Sequence, residues 1–405
     1  MKKIACWIWL SCCFRNGQTV NRLLEEFGSP EAVYRASGKT LEKLSWLRPE
    51  DREKLADKDL SETERIRMDC EGKNVRILTY SDPDYPAPLR TIPDPPLVLY
   101  AIGRVPDFAS VLPIAVVGTR NASYYGRNVA ENLGNRLAAA GAYVITGMAS
   151  GIDSAASRGA VAAGAENAVV LGTAVDRIYP QSSRDVYEAL RQTGLILSEY
   201  APGESSHPSH FPERNRIISG LSRGVVVVEA PKKSGALITA RDALEQGRDV
   251  FAVPGNIDVP SFEGSNRLLA DGEAKAILNV RDVLCEYEWQ YERTMPEEEA
   301  EKSLHEKSAE PVSALPEIAP EGDSDRGRTI LRALGTGGLS AEEIQIRTGI
   351  PAADVQTELT LLELLGRIKN DGGRYYHHFA QFRRSLVHLN RAEVDVTVYC
   401  QTHAD

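Results

Sequence analysis

Six short runs rich in Val and Ile, "LPIAVVG", "AYVITGMA", "NAVVLGT", "LILSEYA", "VVVVEA" and "DVFAVPG", recur between Leu112 and Gly255. A near-continuous apolar run of strand length is what a strand needs when both of its faces are covered. Helical segments such as "YYGRNVAENLGNRLAAAG" and "ALITARDALEQG" lie between the runs, and Gly141, Gly164, Gly194 and Gly247 stand where a helix would stop. Repeated βα units of this kind imply an α/β fold with a Rossmann-like, doubly wound parallel sheet, whose ligands bind beyond the carboxyl ends of the strands.

The flanking segments read differently. Residues 1–75 break into short helices punctuated by Gly, Pro and Ser, a small helical domain. The proline-rich stretch "VRILTYSDPDYPAPLRTIPDPPLVLYAIG" favours an extended connector over a helix and opens the sheet domain, residues 76–285. Residues 286–325 hold Glu297, Glu298, Glu299, Glu301 and four prolines with little to bury, which predicts a disordered linker. Residues 326–378 give three short helices and a Gly-Gly turn between strand-like pieces, a winged-helix order that serves DNA or protein contacts alike. Residues 379–405 carry no readable signal.

The net charge of −10 argues at first against a nucleic-acid partner, because phosphate binding needs basic surface. Residues 1–110 sum to 0, 111–285 to −1, 286–325 to −10 and 326–405 to +1, so the acidity is confined to the expected linker. The six cysteines form no C-x-x-C pair and have no His at ligand spacing, so neither a metal site nor a disulfide framework is expected. The start "MKKIACWIWLSCC" imitates a signal peptide but runs into helical sequence without a small-residue cleavage site, and no run has the length of a membrane span. A cytoplasmic protein with no membrane partner is the expectation.

"ASGKT" at 36–40 lacks the first glycine and the preceding strand of a P-loop, so a helix cap is expected there. The first βα turn, "AVVGTRNASYYG", lacks the G-x-G-x-x-G of a dinucleotide site, yet Gly118, Thr119 and Arg120 offer backbone N–H groups and a guanidinium to a lone phosphate. In the second turn Ser150 and Asp153 have capping-box spacing, and Ser150 and Gly151 also present N–H groups toward a ligand. In "HFPERNRIISGLSRG" the reading places Pro212 at the first helical position and Ile217, Ile218 and Leu221 on the buried stripe. On that wheel Arg214 shares the stripe's meridian and aims at the carboxyl edge of the sheet, while Arg216 points to solvent. Phe211 is either a hydrophobic staple or a platform for a base. Lys232, Lys233 and Ser234 precede a further helix on the same rim. No catalytic pair of carboxylates, Ser-His or Cys-His couple, metal cluster or cofactor motif accompanies these cations, so no enzyme is expected.

The stretches "LLEEFGSPEAVYRAS", "DPDYPAPLRTIPDPPLVLYAIG", "VVGTR", "FPERNRIISGLS" and "SGALITARDALEQGRDVFAVPG" together resemble the DNA-processing protein A family, DprA or Smf, from residue 7 to about 378. The resemblance implies an extended Rossmann-like domain between an N-terminal, SAM-like helical domain and a C-terminal winged helix. It implies a homodimer that binds single-stranded DNA and helps load the RecA recombinase onto incoming DNA in natural transformation. It carries DNA contact onto Gly118, Thr119, Arg120, Phe211, Arg214, Asn215 and Arg216. Where the family commonly has a basic residue this chain has Ser150, and Ser157 replaces a histidine. "QSSRD" lacks the family's usual asparagine, which shifts the expectation of DNA contact toward Arg184. A nucleotide-processing enzyme of the nucleoside-monophosphate phosphoribohydrolase type is the alternative on the same fold, although "PKKSGALITA" lacks the paired glycines and the acid of that class.

Overall fold

A computed structural model of the chain describes residues 3–15, 17–291, 325–334, 339–364, 367–371 and 374–377. They fall in two compact units, Met1–Ser308 and Ala309–Asp405. In the first unit all six expected runs are strands: β3 (Leu112–Val117), β4 (Ala142–Thr146), β5 (Ala168–Leu171), β6 (Leu195–Ser198), β7 (Gly224–Val227) and β8 (Asp249–Ala252). They lie parallel in the order β6-β5-β4-β3-β7-β8. Two strands from the proline-rich stretch, β1 (Arg76–Thr79) and β2 (Val98–Gly103), add antiparallel beyond β6, and the two-residue β9 (Lys275–Ala276) adds beyond β8. The stretch read as a connector is therefore a sheet edge, its prolines confined to the turn between β1 and β2 as the loss of an N–H donor requires.

Alternate residues of each strand meet different helices. Ile114 and Val116 pack with α7 (Tyr124–Ala139) and α8 (Ile152–Ala162), whereas Ala115 and Val117 pack with α10 (His210–Leu221) and α11 (Gly235–Glu245). Chain order reverses between β3 and β7, which makes the crevice beyond their carboxyl ends the topological switch point.

The N-terminal helices are α1 (Lys3–Cys13), α2 (Gly17–Phe27), α3 (Pro30–Arg35), α4 (Gly38–Glu42), α5 (Pro49–Ala56) and α6 (Ser61–Gly72). They share one apolar core with the sheet: Trp7, Ile8 and Leu10 belong to the same cluster as Val169, Leu171 and Ile196 and as Leu190 of α9 (Arg184–Thr193). In "ASGKT", Ser37 caps α4 by accepting the Thr40 N–H at 3.2 Å.

Beyond α12 (Glu263–Ala270) and α13 (Arg281–Leu284), Tyr287 is buried and its hydroxyl donates to Asp249 at 2.7 Å. The start of the expected linker thus belongs to the folded unit. The rest of that linker, 292–324, and the tail from 378 lie outside the described residues.

The second unit holds α14 (Asp325–Leu334), α15 (Ala341–Thr348), α16 (Ala352–Leu364) and a small sheet, β10 (Leu339–Ser340), β12 (Arg374–His377) and β11 (Ile368–Asp371) in that order. Ile330, Ile344, Leu359 and Ile368 form its core. Ser340 and Glu343 make a reciprocal capping box at the start of α15. The elements follow the winged-helix order.

Candidate nucleic-acid interface

The switch-point crevice opens on the α10 and α11 side as a cleft of about 580 Å³, lined by Thr119, Arg120, Asn121, Tyr179, Phe211, Arg214, Asn215, Lys233 and Ser234 among others. Strand ends fix the turns that carry these residues, and the first turns of α10 and α11 supply the opposite wall.

At the centre of the rim three side chains are stacked. The exposed Arg120 guanidinium lies over the Phe211 ring, 4.7 Å from its centroid. Tyr179, 47% exposed, meets the same ring at 5.4 Å between centroids. Phe211 is seated tightly over Gly172. It stands at the second position of α10, which begins at His210, so Pro212 is the third helical residue rather than the first. A staple needs its apolar residue before the cap, and Phe211 is inside the helix beside the cleft, so the staple is not formed. Tyr179 was missed in the sequence. Its signal is an aromatic in the loop leaving β5, on the edge where the wheel had already placed Arg214.

The Gly118 turn differs from expectation. Thr119 N–H donates to the Glu229 carbonyl at 2.7 Å, Asn121 N–H to Thr119 Oγ1 at 3.2 Å, and Ser123 N–H to the Glu229 carboxylate at 3.1 Å. These three donors are already engaged within the chain, while the Arg120 side chain is exposed at the cleft. Asp153 and Ser150 do not form a capping box: Gly151, at φ +82°, is the N-cap of α8, without a side-chain cap. The Asp153 carboxylate instead accepts the Gly147 N–H at 3.0 Å. Burial pushes its pKa up to about 6, against the nearby Arg214 and the Gly147, Ala149 and Gly118 backbone, which favour the ionised form. Ser150 borders a second, 40 Å³ recess with Arg120, Tyr179 and Phe211. Gly151 packs under the Thr119 and Arg120 carbonyls and lines neither space.

The two arginines of α10 also depart from the wheel. Arg214 does point at the carboxyl edge, but it is buried there, donating to the Gly147 carbonyl at 2.8 Å and to the Val170 carbonyl. Burial lowers its pKa to about 10 despite Asp153. It ties β4 and β5 to α10 beneath the cleft floor. Arg216 is not solvated: its side chain is 14% exposed and pairs with Glu199 at 2.8 Å and Asp94 at 3.1 Å. Burial would lower its pKa, yet these two carboxylates raise it. Asn215 donates to the Gly235 carbonyl at 3.1 Å and so joins α10 to α11.

Of the second basic turn, Ser234 caps α11 through the Ala236 N–H at 3.3 Å, and Lys232 pairs with Glu263 at 3.2 Å. Lys233 is exposed on the cleft wall, and no carboxylate among the described residues pairs with it. Arg184, exposed at the start of α9 and donating to Gln181 at 2.9 Å, borders neither space.

A family model described as DNA recombination-mediator protein A matches residues 76–288, and one described as the DprA winged helix domain matches 314–374. The chain is 35% identical to Protein Smf of Synechocystis over 320 residues, covering 75% of this chain and 80% of that protein. The chain belongs to the DprA/Smf family. It is 39% identical to the DNA processing protein DprA of Bacillus subtilis over 222 residues, covering 55% of this chain and 74% of that one. The crystal structure of DprA from Streptococcus pneumoniae superposes with a TM-score of 0.59 at 33% identity, covering 69% of this chain and 96% of that one. Membership accounts for the α/β architecture with its C-terminal winged helix. No helix among the described residues is long and apolar enough to cross a membrane.

Proposed function

We propose that this DprA/Smf protein binds single-stranded DNA through the Arg120, Phe211, Tyr179 and Lys233 rim and acts as a recombination mediator rather than an enzyme. The observation that carries the reading is the stack of Arg120 on Phe211 against the exposed Tyr179, at the mouth of a cleft whose wall also presents the exposed Lys233. An unpaired base stacks on such a platform with little sequence preference while the cations neutralise flanking phosphates. Family membership supports the finer parts of the proposal: a cytoplasmic homodimer that helps load the RecA recombinase onto DNA entering the cell by transformation. A mobility-shift comparison of single- and double-stranded oligonucleotides at two salt concentrations tests the core claim. Equal affinity for both forms, or binding unaffected by Phe211→Ala, would overturn it.

One observation favours the rival hydrolase: Asp153 borders the cleft with a pKa near that of a general base. The residue is only 5% exposed and its carboxylate is held by backbone donors, so it is not presented to a substrate. Release of free base from nucleoside monophosphates would revive that reading.

A further inference from the structure

Glu229 leaves β7 at the switch point, and its side chain is fully buried. Its carboxylate accepts the Ser123 N–H at 3.1 and 3.2 Å and the Ser123 hydroxyl at 2.8 Å. Ser123 is the N-cap of α7, and its hydroxyl in turn accepts the Gly126 N–H at 2.9 Å. A β-carbon at position 126 would lie 1.9 Å from a Glu229 carboxylate oxygen, so a glycine there is what lets the carboxylate seat. A buried anion thus occupies the end of the first helix after the switch-point strand, where N–H groups and the helix dipole favour negative charge. In doubly wound sheets a nucleotide's phosphate takes that place. The crevice therefore has two halves, one open as the α10 and α11 cleft and one filled from within the chain.

We propose that Glu229 is a built-in substitute for phosphate, a specificity determinant that bars phosphate monoesters, free nucleotides included, from the α7 end of the crevice. The side chain fills the volume a phosphate would need. Its charge repels a second anion more strongly in the interior than in water. Ligand phosphates are thereby confined to the outer rim, where the chain's exposed cations are. The inference does not depend on the DNA-binding reading, and its test contains no DNA, so either can fail without the other.

Thermal unfolding of the full chain, with inorganic phosphate compared against chloride at matched ionic strength, reads the effect directly. Glu229→Ala empties the position and frees the Ser123 donors. It is expected to melt lower than the parent in chloride and to recover by roughly 2–4 °C when phosphate reaches about ten times its dissociation constant. Glu229→Gln, which removes the charge but keeps the bulk, is expected to melt lower without recovery. The parent and Glu229→Gln are expected to show only the smaller, shared stabilisation that phosphate gives any folded protein, so the recovery is read as the excess over them. Absence of a phosphate response in Glu229→Ala overturns the proposal, as does an equal response in the parent. If Glu229→Ala does not stay folded in chloride, the ratio of its refolding yields in phosphate and in chloride is compared with that of Glu229→Gln, and equal ratios overturn the proposal.

Discussion

Phe211 is held on its face by the Arg120 guanidinium and on its side by Tyr179, so its ring is oriented before any ligand arrives. Removing it by Phe211→Ala is expected to weaken single-stranded DNA binding by about 1–3 kcal/mol, the range for one aromatic–base stack. Arg120→Ala and Lys233→Ala are each expected to lower the salt-dependence slope of binding by roughly 0.7, the single-strand value per phosphate contact. Titrations at three or more salt concentrations check both, and unchanged slopes would place the phosphates elsewhere. Asp153 makes a different prediction, about pH. Its folded pKa of about 6 lies above the usual 3.8, so the folded state holds a proton more tightly than the unfolded chain. Stability from this group is then full below about pH 4 and falls as pH rises to 6, by of order 3 kcal/mol. Denaturant unfolding between pH 4 and 7 is expected to show that decline in the parent and a flatter profile in Asp153→Asn. Parallel profiles would assign the decline to other groups.

At the scale of elements, α10 shows what a helical wheel can and cannot give. The stripe of Ile217, Ile218 and Leu221 is buried as read, and Arg214 shares its meridian. A wheel gives direction but not the partners waiting there. The carbonyls that take Arg214 come from β4 and β5, and Asp94, which takes Arg216, lies 122 residues away in the proline-rich stretch. The six central strands were legible because each is covered on both faces and must be apolar throughout. β1 and β2, no shorter than the central strands, were hidden by the prolines of the turn between them, and β9 is two residues long and exposed at both. The start of α10 was missed because Ser209, its N-cap, makes no side-chain cap and sends no capping signal. Arg216 now becomes a clamp between elements. Arg216→Ala leaves Glu199 and Asp94 without their cation and is expected to destabilise the folded unit by of order 3 kcal/mol. DNA affinity below the melting transition is expected to hold, and a loss matching that of Arg120→Ala would return Arg216 to the interface.

Across the whole molecule, charge is the property least evenly shared. Residues 292–324 alone carry a net −7, most of the chain's −10, between the sheet unit and the winged helix. A polyanion attached to the same chain as a cationic rim competes with DNA at an effective concentration that reaches about the millimolar range for short tethers. The opposing reading is a spacer that never visits the rim, since attraction between exposed charges is screened within about 8 Å at physiological salt. The rim has little charge to defend itself with, because Lys232 is paired with Glu263 and Arg214 and Arg216 are buried, leaving Arg120 and Lys233 as its exposed, unpaired cations among the described residues. With so few cations, the competitor need engage only two side chains to block the rim, and the loss of affinity grows with the share of time it is bound. Replacing 292–324 with a neutral Gly/Ser segment of equal length is therefore expected to raise affinity for single-stranded DNA at low salt. The gain is expected to shrink at high salt, where the competitor and the DNA are screened together. Affinity unchanged at low salt would show that the acidic segment acts only as a spacer, and a gain that persists at high salt would trace the effect to something other than charge.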